Sequence, residues 1–243
     1  MNAGNYTFDE GGVYIRNMAN MGEKYGVDQY RYPHVYELEG KEFTVEAGGK
    51  TFEFKFQCKC NVLMNGVKYE YECLKPAAGF YFVRFGYNVL VVDLEDGRAT
   101  IGMDGEYLSG AVQGAVSDAP LHAPAGDEMV GTKVRWTFGC SKYMEQDFIS
   151  ADKVVADWSP HDEQKEENRY RAIKLKGPFY LVDMDVFSLK NVICPVYARH
   201  VVLLEDFDRC MAYGCIFGEG MEPILVTGYA TFPEEYGVKR IVR

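Results

Sequence analysis

An internal repeat constrains the fold of this 243-residue chain more than any other feature of its sequence. The pattern Phe80-Tyr81-Phe82-Val83 returns as Phe179-Tyr180-Leu181-Val182, and the residues around the two patterns also correspond. The matching stretches are residues 68–83 with 169–182, 89–96 with 200–206, and 40–43 with 131–134. Two halves of about 90–110 residues each share one order of strands, which predicts two related structural units.

Within both halves the alternation of apolar and polar residues has a period of two, which is typical of β-strands. Phe52-Glu53-Phe54-Lys55-Phe56-Gln57 is the clearest case, with one face buried and the other in solvent. Further strands are predicted at residues 43–46, 68–73, 80–85, 88–94, 98–103 and 224–229, with turns at Gly48-Gly49 and Asp96-Gly97. No helical pattern intervenes, so the sequence predicts an all-β antiparallel meander that closes into barrels to remove its exposed edges.

Composition shifts along the chain predict its division into domains. Residues 1–34 form an N-terminal extension with a short helix around residues 14–24, and residues 35–108 form the first barrel. Residues 109–127 are rich in Gly, Ala and Pro and are predicted to be a linker. The second barrel and a tail occupy residues 128–243, with a polar loop at residues 159–168.

Charge and targeting signals exclude several classes of partner. The chain has 26 Lys and Arg residues against 36 Asp and Glu residues, a net charge of −10, which repels nucleic acid. No apolar run reaches the roughly 20 residues that a membrane-spanning helix needs. The N-terminus lacks the features of a signal peptide, and the seven cysteines are an odd number, so we expect reduced thiols and a cytoplasmic location.

The sequence contains no motif for a metal or a cofactor, and none is expected. Cys58-Lys59-Cys60 lacks the two-residue spacing of zinc and redox motifs, and we interpret these cysteines as apolar fillers of a β core. The four histidines are far apart. Neither a phosphate-binding glycine loop nor a nucleophile elbow is present.

The order of several short motifs matches a known family. In the C-terminal half these are residues 130–136, 143–150, 179–182, 201–204 and 214–218, and in the N-terminal half residues 52–57, 69–70, 76–85 and 89–99. Over about four-fifths of its length the chain thus resembles the MoaF family (molybdenum cofactor biosynthesis protein F-like). The resemblance implies two calycin-like (lipocalin-like) barrels, related by internal duplication, that hold small molecules.

Two departures from the family pattern bear on chemistry. The family tends to have a histidine after the glutamate of its tyrosine-glutamate segment, where this chain has Gln146. It also has a tryptophan-x-cysteine pattern, whereas Trp158 is followed here by Ser159-Pro160. If that histidine matters to activity, the resemblance implies altered or lost chemistry in this chain.

A possible catalytic group lies in the first half. Tyr69 and Tyr71 project from one face of a strand, and Arg84 lies on the next strand. Calycin-fold phenolic acid decarboxylases hold a carboxylate with paired tyrosines and an arginine and use a glutamate as proton donor, a role open here to Glu70 or Glu72. Alternation opposes this reading, because the tyrosines and glutamates occupy opposite faces unless a bulge intervenes. His200, which opens a strand, is a further candidate as a general base.

Candidate ligand-binding residues lie in the second half. Trp136 shares a strand face with Phe138, and Tyr143 shares one with Glu145. Asp183 is either a structural partner of Arg135 or Arg199, or a base. The full set of candidates is Trp136, Tyr143, Glu145, Trp158, Tyr180 and Asp183.

Three functional hypotheses follow. The first is a binding protein for an aromatic or carboxylated metabolite, held in an apolar barrel with a few polar groups. The second is a cofactor-independent lyase, decarboxylase or isomerase acting on such a metabolite. The third is an interaction module whose barrels are filled by their own side chains, which would hold if Phe52, Phe54, Phe56, Phe80 and Phe82 fill the interior. The expected partner is a small molecule rather than nucleic acid or a membrane, and a homodimer is one option for the assembly.

Overall fold

A computed structural model of the chain describes residues 32–58, 60–139, 142–158, 166–185, 198–218 and 222–231. The chain divides into two compact units, one of which is Pro33–Ala123. In that unit eight strands form barrel 1: β1 (Glu42–Ala47), β2 (Lys50–Cys58), β3 (Asn61–Met64), β4 (Val67–Ala77), β5 (Phe80–Phe85), β6 (Asn88–Asp93), β7 (Arg98–Met103) and β8 (Glu106–Val112). Each strand pairs antiparallel with the next, and β1 pairs with β8 to close the barrel.

The second unit contains barrel 2, which is preceded by a short strand β9 (Ala123–Pro124) and a 3-10 helix (Gly126–Met129). Its strands are β10 (Lys133–Gly139), β11 (Lys142–Phe148), β12 (Lys153–Trp158), β13 (Glu166–Lys174), β14 (Phe179–Asp185), β15 (Ala198–Asp206), β16 (Met211–Gly218) and β17 (Ile224–Thr231). Pairing of β10 with β17 and of β12 with β13 closes this ring as well. The predicted all-β architecture of two duplicated antiparallel barrels is confirmed.

Both barrels are plugged at one end by the segment that precedes their first strand. Leu38 and Met129 are fully buried in the cores of barrels 1 and 2. Two residues later, the N–H groups of Gly40 and Gly131 donate to the carbonyl groups of Phe56 and Phe148 at 2.8 and 2.7 Å. Both glycines have positive φ angles, +76° and +81°, which explains why glycine recurs at this turn.

Strand pairing fixes which residues of the two halves are equivalent. Asp93 accepts hydrogen bonds from the backbone two and three residues ahead, and Asp206 does the same, so these aspartates occupy the same position. Tyr71 pairs with Phe85 as Tyr170 pairs with Met184. The sequence comparison had set Tyr69 against Tyr170, so the structure shifts the repeat by two residues in this strand.

Some boundaries differ from the sequence prediction. β8 continues to Val112, inside the stretch predicted as the linker 109–127, and β13 begins at Glu166, inside the predicted polar loop 159–168. The hairpin turns at Gly48-Gly49 and Asp96-Gly97 and the final strand at β17 are confirmed. The predicted helix at residues 14–24 lies outside the described residues. In the part of the chain that the structure describes, no helix is long and apolar enough to cross a membrane.

Candidate functional site

The four catalytic candidates of barrel 1 lie on two sides of its wall. Tyr69 and Tyr71 contribute to the core cluster inside the barrel. Glu72 lies on the opposite face, where it binds Arg84 at 2.6 Å and His34 at 3.2 Å. The sheet therefore separates the tyrosines from the carboxylate, as the period of two requires.

Tyr71 is nevertheless unusual, because its hydroxyl group is buried inside barrel 1 and has no hydrogen-bond partner among the described residues. Its ring packs edge-on against Phe56 with a centroid distance of 4.9 Å. Burial, followed by the neighbouring Cys73, raises the pKa of Tyr71 to about 12. The phenol is therefore neutral at physiological pH and acts as a donor without an acceptor.

The interior of barrel 1 is occupied mainly by its own aromatic side chains. Phe52, Phe54 and Phe56 all point inward from β2, and Phe54 meets Phe85 edge-on at 5.8 Å. Phe80 and Phe82 are also fully buried but lie outside this core cluster. Three of the five phenylalanines named for the filled-barrel hypothesis thus line the interior.

Several candidates in barrel 2 lie on its outer surface. The Nε group of Arg135 donates to Glu145 at 2.7 Å, and its guanidinium group covers the ring of Tyr143 at 4.5 Å. Asp183 pairs with Arg171 at 3.1 Å, a partner that the sequence did not predict. The side chain of Arg199 lies outside the described part of the structure.

His200 and Trp158 are two further candidates in barrel 2. The ring of His200 stacks on Phe217 with a centroid distance of 4.8 Å. The backbone of Trp158 pairs with Met144 in β12, and its side chain lies outside the described part of the structure.

Trp136 points inward and is part of a polar centre inside barrel 2. Its indole Nε1 donates to Gln146 Oε1 at 2.7 Å and to Glu205 Oε1 at 3.1 Å. The Gln146 side chain also donates to the sulfur of Met184 at 3.1 Å. Trp136, Gln146 and Glu205 are all at most 1% exposed. We call Trp136, Gln146, Met184 and Glu205 the polar centre.

Glu205 is the most perturbed group of this centre. Desolvation by burial raises the pKa of its carboxyl group to about 8, and the hydrogen bonds from Gln146 and Trp136 oppose this only partly. The second oxygen, Oε2, is buried and finds no hydrogen-bond partner within the described ranges. At neutral pH the side chain is therefore largely protonated and able to donate or accept one more hydrogen bond.

Barrel 1 has only apolar residues at the positions equivalent to the polar centre. By strand pairing, Val45, Phe54, Phe85 and Val92 of barrel 1 correspond to Trp136, Gln146, Met184 and Glu205. All four are buried hydrophobic residues. The duplicated fold can thus be built with an apolar interior at each of these positions.

Tyr180 belongs to a different cluster, which both barrels possess. Its hydroxyl donates to Glu128 at 2.7 Å, and Lys174 contacts both residues. In barrel 1, the equivalent set is Tyr81, Glu37 and Lys75, with a hydrogen bond of 2.9 Å from Tyr81 to Glu37 and an ion pair of 2.6 Å from Lys75 to Glu37. Since Glu37 and Glu128 lie in the plugging segments, the clusters fasten each plug to its barrel.

In both clusters the lysine and the tyrosine stabilise the ionised form of the glutamate. The pKa of Glu37 is lowered by Lys75 and then Tyr81, and that of Glu128 is lowered by Tyr180 and then Lys174. The pKa values of Tyr81 and Tyr180 are raised, mainly by burial and then by the hydrogen bonds that these phenols donate to the glutamates. Because the cluster occurs twice, it is a property of the barrel rather than of one binding site.

Glu205 and Gln146 were not among the candidate residues that the sequence predicted. The comparison of residues 89–96 with 200–206 aligned the two Glu-Asp pairs. It therefore made Glu205 equivalent to Glu95, which lies in a turn. Strand pairing instead shows that Glu205 is equivalent to Val92, on the inward face of its own barrel. The sequence did contain an indication of this position. Val201, Leu203 and Glu205 alternate along one strand, so the carboxylate lies on the same face as two core residues.

Other features of the described residues offer little chemistry. No group of three or more His, Cys, Asp or Glu side chains within them could hold a metal ion. A surface depression of about 350 Å³ on barrel 1 is lined partly by Glu42, Glu53 and Lys55. Lys55 and Glu42 form an exposed ion pair across it.

These features define a class of protein, an all-β chain with two duplicated eight-stranded barrels and one polar interior. Comparison with protein-family models gives no match, and comparison with curated proteins gives no significant one. The resemblance to the MoaF family therefore stays a prediction that rests on the motifs.

Proposed function

We propose that the chain is a small-molecule-binding protein whose ligand site lies inside barrel 2 at Glu205. The observation that carries this proposal is a fully buried carboxyl group with one unpartnered oxygen, at a position where the duplicate barrel has Val92. Burying an incompletely paired carboxyl group costs on the order of several kcal/mol. The fold accepts valine at the equivalent position of barrel 1, so it does not require a carboxyl group there. The energetic cost of burying Glu205 therefore indicates a function.

The neighbouring side chains favour a ligand beside the polar centre. Across β10, β11 and β12, barrel 2 has Val134, Gln146 and Ala156 in the row where barrel 1 has Phe43, Phe54 and Met64. Each of these three side chains is smaller than its counterpart in barrel 1, which supports a ligand site next to Gln146. The resemblance to MoaF barrels that hold small molecules supports the same proposal.

The chemistry of the site narrows the ligand class. Trp136 and Phe138 provide aromatic surface, and Glu205 Oε2 provides the polar contact that fixes orientation. An aromatic ligand with an amine or hydroxyl group satisfies both requirements. A carboxylated aromatic ligand, the class expected from the sequence, would bind while Glu205 is protonated and donates the hydrogen bond.

The raised pKa of Glu205 favours a second candidate function, a cofactor-independent lyase or isomerase. A carboxyl group with a pKa of about 8 is a proton donor at neutral pH, which is the state that general acid catalysis requires. In this case Glu205 would protonate a bound aromatic substrate, and Trp136 and Gln146 would hold the carboxyl group in position. Turnover that depends on Glu205 would separate this function from binding alone.

The test combines native mass spectrometry of freshly purified protein with a thermal-shift screen of aromatic amines, phenols and aromatic acids. We expect a co-purified ligand, or stabilisation that increases with ligand concentration. Glu205→Gln should weaken binding by about tenfold or more, because one hydrogen bond to the buried carboxyl group is worth about 1.5 kcal/mol.

The matched control is Val92→Ala, which changes the equivalent position of barrel 1 and should leave the affinity unaltered. Equal affinity in wild-type protein and Glu205→Gln would contradict a site at Glu205. A Val92→Ala variant that loses binding would place the ligand in barrel 1 instead. Failure of every compound to stabilise an empty protein would favour the filled-barrel alternative.

A further inference from the structure

The hairpin between β2 and β3 brings two thiol groups together at the plugged end of barrel 1. Cys58 ends β2 and pairs with Asn61, the first residue of β3, and Cys60 lies in the turn. The sulfur atoms of Cys58 and Cys60 are 3.7 Å apart. Cys60 is exposed and Cys58 half-buried, so both differ from the buried Cys73 and Cys215 and from the core fillers that the sequence predicted.

We propose that Cys58 and Cys60 form a dithiol that exchanges reversibly with low-molecular-weight disulfides. The side-chain amide of Asn61 donates to both sulfurs, at 3.0 Å to Cys58 and 3.3 Å to Cys60. Such donors stabilise a thiolate, which is the form that attacks a disulfide. The two sulfurs must approach by less than 2 Å to reach the bond length of about 2.05 Å.

The duplicated half shows that the fold does not require cysteines in this turn. The equivalent residues of barrel 2 are Ser150 and Asp152, whose side chains form a hydrogen bond of 2.8 Å. In barrel 1 the carbonyl group of Cys60 accepts a hydrogen bond from the N–H of Tyr71 in β4, and in barrel 2 that of Asp152 accepts one from Tyr170 in β13. The turn thus brings the two side chains together by its geometry, and only barrel 1 places thiols there.

The two cysteines have different electrostatic surroundings. The pKa of Cys58 is lowered by the backbone N–H of Cys60 and then by Asn61, whereas the pKa of Cys60 is raised, first by its hydrogen bond with Cys58. These shifts support Cys58 as the attacking thiol and Cys60 as the resolving thiol. They add to the geometry of the pair, which carries the proposal.

The exchange balances in two steps. The Cys58 thiolate attacks a disulfide RS–SR, the S–S bond breaks, and one RS⁻ leaves and takes up a proton. The Cys60 sulfur then loses its proton and attacks the Cys58 sulfur, which releases the second RSH. Two protein thiols are oxidised to a disulfide, and one small disulfide is reduced to two thiols.

Trypsin provides a direct readout, because Lys59 lies between the two cysteines. The folded protein is equilibrated with oxidised glutathione, the remaining thiols are alkylated, and the chain is digested without reduction. We expect the peptide that ends at Lys59 and the peptide that begins at Cys60 to remain joined until a reductant is added. Unlinked and fully alkylated peptides would overturn the proposal, as would glutathione on both cysteines with no link.

Single substitutions test the order of the two steps. Cys60→Ser should accumulate the mixed disulfide of glutathione with Cys58, and Cys58→Ser should react about tenfold more slowly with glutathione disulfide. The matched control is the double variant Cys58→Ser, Cys60→Asp, which copies the turn of barrel 2. It should fold normally and yield no linked peptides. Equal reaction rates for both single variants would overturn the assignment of Cys58 as the attacking thiol.

Discussion

Barrel 1 and barrel 2 are two solutions of one fold, and their differences are more informative than their shared features. Both have a plugging segment fastened by a tyrosine, a glutamate and a lysine, and both have an aspartate that orders the turn after the sixth strand. Barrel 1 encloses an aromatic interior and places two thiols in a hairpin. Barrel 2 encloses a polar centre and has serine and aspartate in that hairpin.

The comparison of equivalent positions in the two barrels shows which polar groups the fold itself requires. Features present in both barrels stabilise the barrel itself, since two diverged sequences retain them. Features that one barrel has and the other replaces by ordinary residues are not needed for folding. By this criterion Glu205 and the Cys58–Cys60 pair are the functional candidates, whereas Tyr180, which the sequence placed among ligand-binding residues, has a structural counterpart in Tyr81.

The largest expected effect comes from moving the carboxyl group to the other barrel. Val92→Glu places it where no tryptophan or glutamine can reach it, because the equivalent positions hold Val45 and Phe54. We expect the free energy of unfolding to fall by about 4 kcal/mol or more, as for an uncompensated buried charge. Urea denaturation measures this loss, and Val92→Ile is the apolar control. A loss below about 1 kcal/mol would mean that barrel 1 offers polar partners too.

The second prediction concerns the pH dependence of stability in barrel 2. The pKa of Glu205 rises from 4.5 to about 8 on folding, so the folded state holds this proton more tightly than the unfolded state. Its contribution to stability is complete below pH 4.5 and is lost as the pH rises through about 8. The loss has a slope of up to about 1.4 kcal/mol per pH unit.

Glu205→Gln removes the titrating group and isolates this effect. The difference in free energy of unfolding between wild-type protein and the variant should change with pH in that window, in favour of the variant at high pH. Denaturation at a series of pH values measures the difference. A difference independent of pH would show that Glu205 is ionised in the folded protein, and the role of its protonated form would be excluded.

The third prediction tests the seam that closes each barrel. Gly110 and Gly228 are equivalent, but a Cβ atom at Gly110 would lie 2.0 Å from the carbonyl oxygen of Glu46, whereas one at Gly228 would meet the ring of Phe138 at 2.9 Å. Backbone cannot move aside as a side chain can. We therefore expect Gly110→Ala to cost about 3 kcal/mol and Gly228→Ala about 1 kcal/mol in thermal or urea unfolding. The reverse order would indicate that the seam of barrel 1 is the more adaptable.

The sequence predicted the barrels well because several strands, of which β2 is the clearest, alternate with a period of two, and because the turns between strands are short. The alternation of Phe52, Phe54 and Phe56 predicted a strand with one buried face, and the structure shows that this face points into barrel 1. The same rule showed in advance that Tyr71 and Glu72 could not face one cavity.

The alternation in β15 marks Glu205 as inward-facing, but its contacts with Trp136 and Gln146 could not be predicted, since they depend on which residues pair across strands. Gln146 and Glu205 are 59 positions apart, and Trp136 joins them only through the closure of the ring. A shift of the repeat by a few residues moved Glu205 from a strand into a turn. Similarly, the proximity of the Cys58 and Cys60 sulfurs depends on the turn that pairs Cys58 with Asn61, whereas the sequence predicted both cysteines to be apolar fillers of the core.

The smallest expected effect concerns a strained residue in the turn that both barrels share. Cys210 has a φ angle of +57°, and its equivalent in barrel 1 is Gly97, with +61°. A side chain at such an angle is disfavoured, so Cys210→Gly should raise the free energy of unfolding by about 0.5–1 kcal/mol. The reciprocal variant, Gly97→Ala, should be destabilising, because its Cβ atom would also lie 2.2 Å from that of Ala115. Thermal unfolding of both variants measures the two changes in stability. If Cys210→Gly were the destabilising change, the contacts of the Cys210 side chain would outweigh its backbone strain, and the turns of the two barrels would differ in what stabilises them.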